Sequence, residues 1–397
     1  MISVQQASAV ILSHVYKPGI VQVPLTKSVN QVLAKPISAD RDFPPFDRVT
    51  MDGIAIRHEA WKNGQKKFVI EAIQAAGEAR KKLQNATHAM EVMTGAMLPE
   101  GTDAVIRYED VKVEGNKVTI EVDPITPWQS IHRQGQDARA EEVLLNPGMI
   151  LSPAEVALLA SVGKTEVDVY AYPKAAIVSS GDELVEVSAT PLPHQIRRSN
   201  TYAIEAAMRT LNWEGKQFHM PDEKQILKNT LAQILAEHDV IILSGGVSQG
   251  KFDFIPAVME EIGVQKIFHQ VSQRPGKPFW FGVSNEGKVI FALPGNPVST
   301  FMCFYKYVRP WLLTSLGVEN KSNEAFLAKD FSFPPKLTYF LQVRVKNEGG
   351  KWMAYPDAGG GSGDFANLKK TDGFLELPAE KTGFMAGEVF PFISFRG

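Results

Sequence analysis

The sequence predicts a multidomain α/β plus β protein. It would have a central α/β domain with a mostly parallel sheet, a β-rich N-terminal region and a small, barrel-like C-terminal β domain. Three observations point there. Up to about residue 150, short apolar segments are broken by proline and glycine, as in irregular β structure. From 173 onward, buried-type strands alternate with helices of ten or more residues, the signature of βαβ units. Beyond about 320 the helical period stops and short alternating runs return. With 397 residues, 44% of them hydrophobic, the chain can bury several cores, and domains of about 100–200 residues give two to four. The expected parts are 1–170 (elongated, β-rich, two subdomains), 171–318 (α/β) and 319–397 (β).

The elements follow in order. Ser3 and Gln6 fit a capping box for a helix with Ala7, Val10, Ile11 and Val15 near one face, ended by Pro18-Gly19. "VQVPL", "KFVIEAI", "DAVIRYEDVKV" and "NKVTIEV" read as short strands. "SPAEVALLASVG" is a helix, with Ser152 as cap, Pro153 in the first turn, Glu155 closing a capping box and Gly163 ending it. "KAAIVSS", "DVIIL" and "KVIFAL" read as buried strands. "NTYAIEAAMRTLNW" (ending near Gly215), "EKQILKNTLAQILAEH", "FIPAVMEEIG" and the long "VSTFMCFYKYVRPWLLTSLG" read as helices. "FLQVRVKNEGGKWMAYP" predicts a hairpin, and "GFLELP" and "EVFPFI" further strands. "AGGGSG" is the one low-complexity patch, and no repeats are evident.

Composition narrows the function classes. A net charge of −2 gives no electrostatic case for general nucleic-acid or membrane binding, although a local basic pocket stays open. Cys303 is the single cysteine, so an intrachain disulfide and a cysteine zinc site are excluded, and its apolar neighbours suggest a buried structural thiol. "MISVQQASAVILSHV" lacks a basic start and a long apolar core, and no apolar run approaches the roughly 20 residues of a membrane helix. A soluble cytoplasmic protein is expected.

Three loops leave the predicted strands at one edge of the sheet: "SSGDELVE", "LSGGVSQGKFDF" and "LPGNPVST". In parallel sheets, ligands bind beyond the C-terminal strand ends. Each loop has a local explanation. Gly181 can simply turn the chain, and Asp253 and Asn296 each suit a helix N-cap. Together, Ser244, Gly245, Gly246, Ser248 and Gly250 offer N–H groups and hydroxyls without bulk, which favours a phosphate-like anion. The spacing is neither the P-loop nor the dinucleotide fingerprint. Asp182, Glu183 and Asp253 would repel an anion unless Mg²⁺ bridges them. Arg274 and Lys277, around a Pro-Gly turn, are either solvated surface cations or an oxyanion site. Asp222 opens "DEKQ", itself a capping box with Gln225. No histidine pair has metal-ligand spacing, and no nucleophile elbow is present.

In order, "FPPFDRVTMDGIAI", "VMTGAMLPEGTDAV", "HRQGQDA", "SSGDELVE", "LSGGVSQGKFDF", "QRPGKP" and "ALPGNP" resemble the molybdopterin molybdenumtransferases, the MoeA family to which the C-terminal part of gephyrin belongs. The resemblance spans nearly the whole chain. It implies a molybdopterin-binding type of α/β domain and the last step of molybdenum cofactor assembly. Adenylylated molybdopterin would receive molybdate and release AMP, with Mg²⁺ assisting. It also implies an elongated cytoplasmic homodimer with its cleft between subunits, and contact with the adenylyltransferase and molybdoenzymes. The α/β portion alone also resembles stand-alone molybdopterin adenylyltransferases and CinA proteins, and a gephyrin-like scaffold is the alternative of another class.

Carried over by motif, the resemblance assigns catalytic roles to Asp52, Asp137, Glu183, Asp222, Asp253, Arg274 and Lys277, with Glu183, Asp222 and Asp253 as metal ligands. It assigns substrate contacts to Thr94, Gly181, Asp182, Ser199, Asn200, Gly245, Gly246, Ser248, Gly250, Pro294, Gly295, Asn296, Pro297 and Ser362. Departures are Arg274 for the usual lysine, Val49-Thr50 before "MDG", Ile54 for an aromatic, Gln136 for glutamate, and Arg197-Arg198 where tyrosine and an acid are common. The physical account agrees. A pyrophosphate needs a glycine cradle and a metal, and a molybdate dianion needs fixed cations.

Overall fold

The computed structural model describes residues 1–247, 254–320 and 322–396. The chain forms two compact units. One comprises Met1–Ala34, Pro147–Ser152 and Val167–Gly397, the other Lys35–Asn146 and Pro153–Glu166.

The first unit contains the α/β domain. Its elements are β1 (Ala175–Ser180), α1 (Asn200–Arg209), β2 (Gly215–Met220), α2 (Lys224–Glu237), β3 (Val240–Ser244), α3 (Ile255–Glu261), β4 (Val264–His269), β5 (Trp280–Ser284), β6 (Val289–Leu293) and α4 (Pro297–Cys303). The sheet runs β2-β1-β3-β6-β5-β4. The first four strands pair in parallel, while β5 runs antiparallel to both β6 and β4. Every residue of β1, β3 and β6 is buried, as continuous apolar runs between two helical layers require. The two-residue strand period sends Ile177, Ile242 and Phe291 to one face, against Ile204, Met208 and Met302. Val178, Leu243 and Ala292 face the other side, against Leu227, Leu231 and Val258. Burying each such large apolar side chain contributes about 1.5–3 kcal/mol.

Three sequence expectations change. The first helix is Val4–Leu12 with the expected Ser3–Gln6 box, but it stops short of Val15, which is exposed. Ser13 Oγ bonds to the Val10 carbonyl (2.7 Å) and closes that end. Helix α1 ends at Arg209. Asn212 turns the chain with φ +54°, and Gly215 opens edge strand β2. The long helix is not uniformly α. A π turn, Phe304–Val308, lies between α4 and α5 (Arg309–Ser315). Pro310 lacks an N–H and crowds the carbonyl four residues back, so the wider turn upstream absorbs it.

The C-terminal strands close a barrel. Thr338–Glu348 pairs with Lys351–Pro356, that strand with Asn323–Leu327, then Val389–Ser394, then Gly373–Leu377, which returns to Thr338–Glu348. A sixth member comes from the α/β domain, since Gln273–Arg274 pairs in parallel with Thr338–Tyr339.

The second unit is built on a sheet in the order Ala104–Arg107, Gly53–Ile56, Ala89–Val92, Lys67–Gln74, Lys117–Ile120, Val111–Glu114. "DAVIRYEDVKV" therefore supplies two strands, divided by a short 3-10 turn at Tyr108–Asp110. Ile54, Ile56, Phe68, Ile106 and Val118 form its core.

Candidate active site

The three glycine-containing loops do converge. A cleft of about 450 Å³ lies beyond the C-terminal ends of β1, β3 and β6. Gly181, Glu183, Ser199, Asn200, Asp222, Gly245, Gly246, Pro294, Gly295, Asn296 and Pro297 all line it. Ser248, Gly250 and Asp253 lie outside the described residues.

Backbone shape explains the glycines. Gly245 and Gly246 have φ of +102° and +69°, where a side chain is strained. A Cβ on Gly246 would collide with the Ile255 side chain, and one on Gly295 would touch Gly245 Cα at 3.5 Å. At Gly181 (φ +139°) a Cβ would meet Glu183 Oε2 at 2.6 Å, so this glycine lets the carboxylate fold back over the strand end.

Asn200 ties the rim together. Its Nδ2 lies 2.9 Å from Ser244 Oγ, 2.8 Å from the Gly295 carbonyl oxygen and 3.3 Å from Thr300 Oγ1. Thr300 Oγ in turn donates to the Pro294 carbonyl. One amide thus links α1, β3, the "PGNP" loop and α4.

Two residues with local capping readings line the cleft. Helix α2 has Glu223, not Asp222, at its N-cap, and Gln225 bonds to Asn229 (3.0 Å). Asp222 instead lines the cleft, and its N–H donates to Asp182 Oδ1 at 3.2 Å. Asn296 stands at the N-cap of α4 without a side-chain cap bond. Its Nδ2 donates to Ser362 Oγ at 3.0 Å. That bond, with Val298 N–H donating to the Ser362 carbonyl (3.1 Å), joins the cleft to the barrel's glycine-rich loop.

Beside it lies a smaller cavity of about 240 Å³, lined by Arg274, Tyr339, Gln342, Gly359, Gly360 and Ser362 among others. Arg274 and Ser362 thus line one cavity. Lys277 is exposed one residue before Pro278, which lines the larger cleft. The carboxylates and Arg274 therefore occupy neighbouring compartments.

Asp52, Thr94 and Asp137 belong to the second unit. Asp52 Oδ1 accepts from Thr94 N–H (2.6 Å) and Oγ–H (2.9 Å). These bonds, the backbone one foremost, hold its carboxyl below the ordinary range. Asp137 Oδ1 lies 2.8 Å from His132 Nε2, and His132 Nδ1 lies 3.1 Å from an Arg48 guanidinium nitrogen. Arginine only donates, so Nδ1 accepts and Nε2 carries the proton toward Asp137.

Several participants escaped the sequence reading. Arg198 is buried and paired with Glu186, yet its Nε has no partner. Ser180 Oγ, Thr201 Oγ1 and Asn200 Oδ1 are likewise buried without partners, and all four residues line the cleft. Burial, then the Arg198 charge, lowers the pKa of His219, whose Nδ1 lies 3.1 Å from Ser179 Oγ. Gln342 is engaged through Oε1 by Asn367 (3.3 Å), which also bonds to the Asp357 carbonyl (2.7 Å) and braces the glycine loop. Of these, Asn200 is an expected substrate contact and Arg198 is marked as one of a pair of adjacent arginines; the others carry no signal in the sequence.

The residues present fit Mg²⁺. Among the described residues no group of three or more His, Cys, Asp or Glu is placed to share an ion. Mg²⁺ does not need one, since one or two carboxylates plus water and substrate phosphate complete its shell. Glu183 and Asp222 line one cleft that also carries the unpartnered oxygens of Ser180, Asn200 and Thr201, oxygen donors of the kind such a shared shell uses.

A glycine-cradled cleft at the sheet edge, hydrogen-bonded to a cation-bearing barrel, marks a protein class. Residues 176–314 match the family described as a probable molybdopterin binding domain. Residues 2–163 match the MoeA N-terminal region (domain I and II), and 324–395 the MoeA C-terminal region (domain IV). The chain belongs to the MoeA family. A Synechocystis protein named molybdopterin molybdenumtransferase is 38% identical over 400 residues, covering 100% of both chains. A Bacillus subtilis protein of the same name is 33% identical, covering 96% of this chain and 92% of its own. The crystal structure of a molybdopterin biosynthesis MoeA protein from Pyrococcus horikoshii OT3 superimposes with a TM-score of 0.86 at 28% identity, covering 100% of each chain. No helix among the described residues is long and apolar enough to cross a membrane.

Proposed function

We propose that this chain is a molybdopterin molybdenumtransferase that inserts molybdate into adenylylated molybdopterin and releases AMP. The observation that carries this reading is the division of one site into two compartments. Glu183, Asp222 and the Gly245-Gly246 turn line the larger cleft, while Arg274 and Ser362 line the smaller cavity. The Asn296–Ser362 bond joins the two. A pyrophosphate beside carboxylates suits the first. A tetrahedral dianion suits the second, where no acid among the described residues forms an ion pair with Arg274.

When bound, Mg²⁺ would offset charge developing on the leaving AMP phosphate. In this reading Glu183 and Asp222 hold the ion, joined by Asp253, whose position lies outside the described residues. Gly246 and the start of α1 receive phosphate oxygens on N–H groups, while the Gly245 N–H holds the turn by donating to the Leu293 carbonyl (3.1 Å). Arg274, Lys277 and Ser362 orient the oxyanion toward the pterin sulfurs. Asp52, Thr94 and Asp137 serve the reaction from the second unit. The parts 1–170, 171–318 and 319–397 act together in a cytoplasmic homodimer, which light scattering would test. The adenylyltransferase would supply its substrate and molybdoenzymes take its product, without nucleic acid or membrane.

The test mixes purified protein with adenylylated molybdopterin, Mg²⁺ and molybdate, and follows AMP. Molybdate-dependent release, lost in Asp222→Asn and Glu183→Gln, supports the reading. Substrate binding without release indicates a binding or scaffold protein, and absence of binding refutes the site.

A further inference from the structure

The loop carrying Arg274 and Lys277 is braced from beneath by side chains that no motif marks. Gln273 is fully buried immediately before Arg274. Its Nε2 donates to the Gly276 carbonyl at 3.0 Å, closing the loop across Arg274 and Pro275. The same nitrogen lies 3.5 Å from Cys303 Sγ. The Tyr307 hydroxyl donates to Gln273 Oε1 and so fixes which end of the amide faces Gly276. Cys303 and Tyr307 are buried too, the latter in the π turn ahead of Pro310. The fit is close. At Gly276 (φ +90°) a Cβ would lie 2.8 Å from both Cys303 Sγ and Gln273 Nε2. Beyond the turn, the Lys277 carbonyl accepts from Val271 N–H (3.0 Å) and Phe279 N–H (2.9 Å).

A buried glutamine is stable only if its amide is satisfied. Here those bonds terminate on the loop that presents two cations, and apolar packing alone would not need them. We propose that Gln273 and Tyr307 are positioning residues that hold the Arg274–Lys277 loop in its oxyanion-binding shape through a buried amide, without touching the ligand. The inference rests on the reading of Arg274 and Lys277 as oxyanion contacts. Burial raises the Tyr307 pKa well above its ordinary value, so its hydroxyl remains a donor throughout the working range.

The test compares Tyr307→Phe, Gln273→Met and Lys277→Met in the full-length protein, measuring KM for molybdate, KM for adenylylated molybdopterin, kcat and melting temperature. Tyr307→Phe keeps the ring packed on Phe279 (4.9 Å between centroids), so the fold should survive. The expected result is a five- to tenfold rise (order of magnitude for one lost buried bond) in molybdate KM for Tyr307→Phe and Gln273→Met, with little change in the molybdopterin KM. The double variant should be no worse than Gln273→Met, because both act through one amide. Equal rises in both KM values would mean a general packing role and overturn the proposal. So would an unchanged molybdate KM in both variants while Lys277→Met raises it, which leaves the oxyanion reading intact. If Lys277→Met also leaves it unchanged, the oxyanion reading falls and the proposal falls with it.

Discussion

Asn200→Asp is the sharpest probe of the rim. The swap keeps the shape but replaces an amide nitrogen by an oxygen that only accepts. Of the three acceptors around Nδ2, the Ser244 hydroxyl can rotate to donate, but the Thr300 hydroxyl is committed to the Pro294 carbonyl and the Gly295 carbonyl at 2.8 Å cannot donate. That carbonyl loses its donor and faces a negative oxygen. One orphaned acceptor beside a partly buried charge costs about 2 kcal/mol. For a chain of 397 residues that is a fall of about 2–3 °C in melting temperature. The introduced carboxyl would have a raised pKa, since only its protonated form can donate to Gly295. Its deficit is therefore full above the folded pKa and shrinks as pH falls through it. The assay is differential scanning calorimetry of wild type, Asn200→Asp and Asn200→Ala between acid and neutral pH. If Asn200→Asp melts within about 1 °C of wild type at neutral pH, the amide does not tie the loops and the argument fails.

Gly246→Ala places a side chain at φ +69° and against Ile255, so left-handed strain of about 1–2 kcal/mol adds to overpacking. Calorimetry should show the loss, and titration with AMP a weakened site. Glu261 on α3 bonds Lys224 (2.7 Å) and Lys228 (2.9 Å) on α2, and these, Lys224 first, lower its pKa to about 2. A depressed acid stabilises above its unfolded pKa and loses that contribution as pH falls through the folded value. Melting curves of wild type and Glu261→Gln should thus differ at pH 7 and converge near pH 2, the gap narrowing in high salt. Asp52→Ala removes the acceptor of the Thr94 amide, whose hydrogen exchange should accelerate, whereas Asp52→Asn should largely retain protection.

Strands β1, β3 and β6 were legible because burial on both faces forces unbroken apolar runs. The edge strands were not. Gly215–Met220 is half exposed along its length, and Val264–His269 exposes Gln265 and Lys266, so neither shows a continuous run or a clean alternation. Asn323–Leu327 hides for a related reason, its first two residues being exposed in a closed barrel. At the site, glycines, prolines and short acids announced themselves because backbone shape dictates them locally. Thr300, Gln342 and Asn367 did not, since their roles depend on partners brought near by the fold. Asn296 shows how local logic misleads: position and neighbours suit a cap, but tertiary structure offers Ser362 instead.

The pairing of Gln273–Arg274 with Thr338–Tyr339 has a consequence for how the molecule is made. A chain emerging from the ribosome can complete β1 to β6, and with them the Gly245-Gly246 turn, before any of the barrel's five C-terminal strands exists. At that stage the segment bearing Arg274 lacks the neighbour it will pair with, and Asn296 lacks Ser362. The cleft at the Gly245-Gly246 turn therefore precedes the cavity beside Arg274 and Ser362 during synthesis. A protein cut after the α/β domain would retain the glycine-lined cleft while losing the strand that Arg274 pairs with, so the barrel cannot be removed as a spare module.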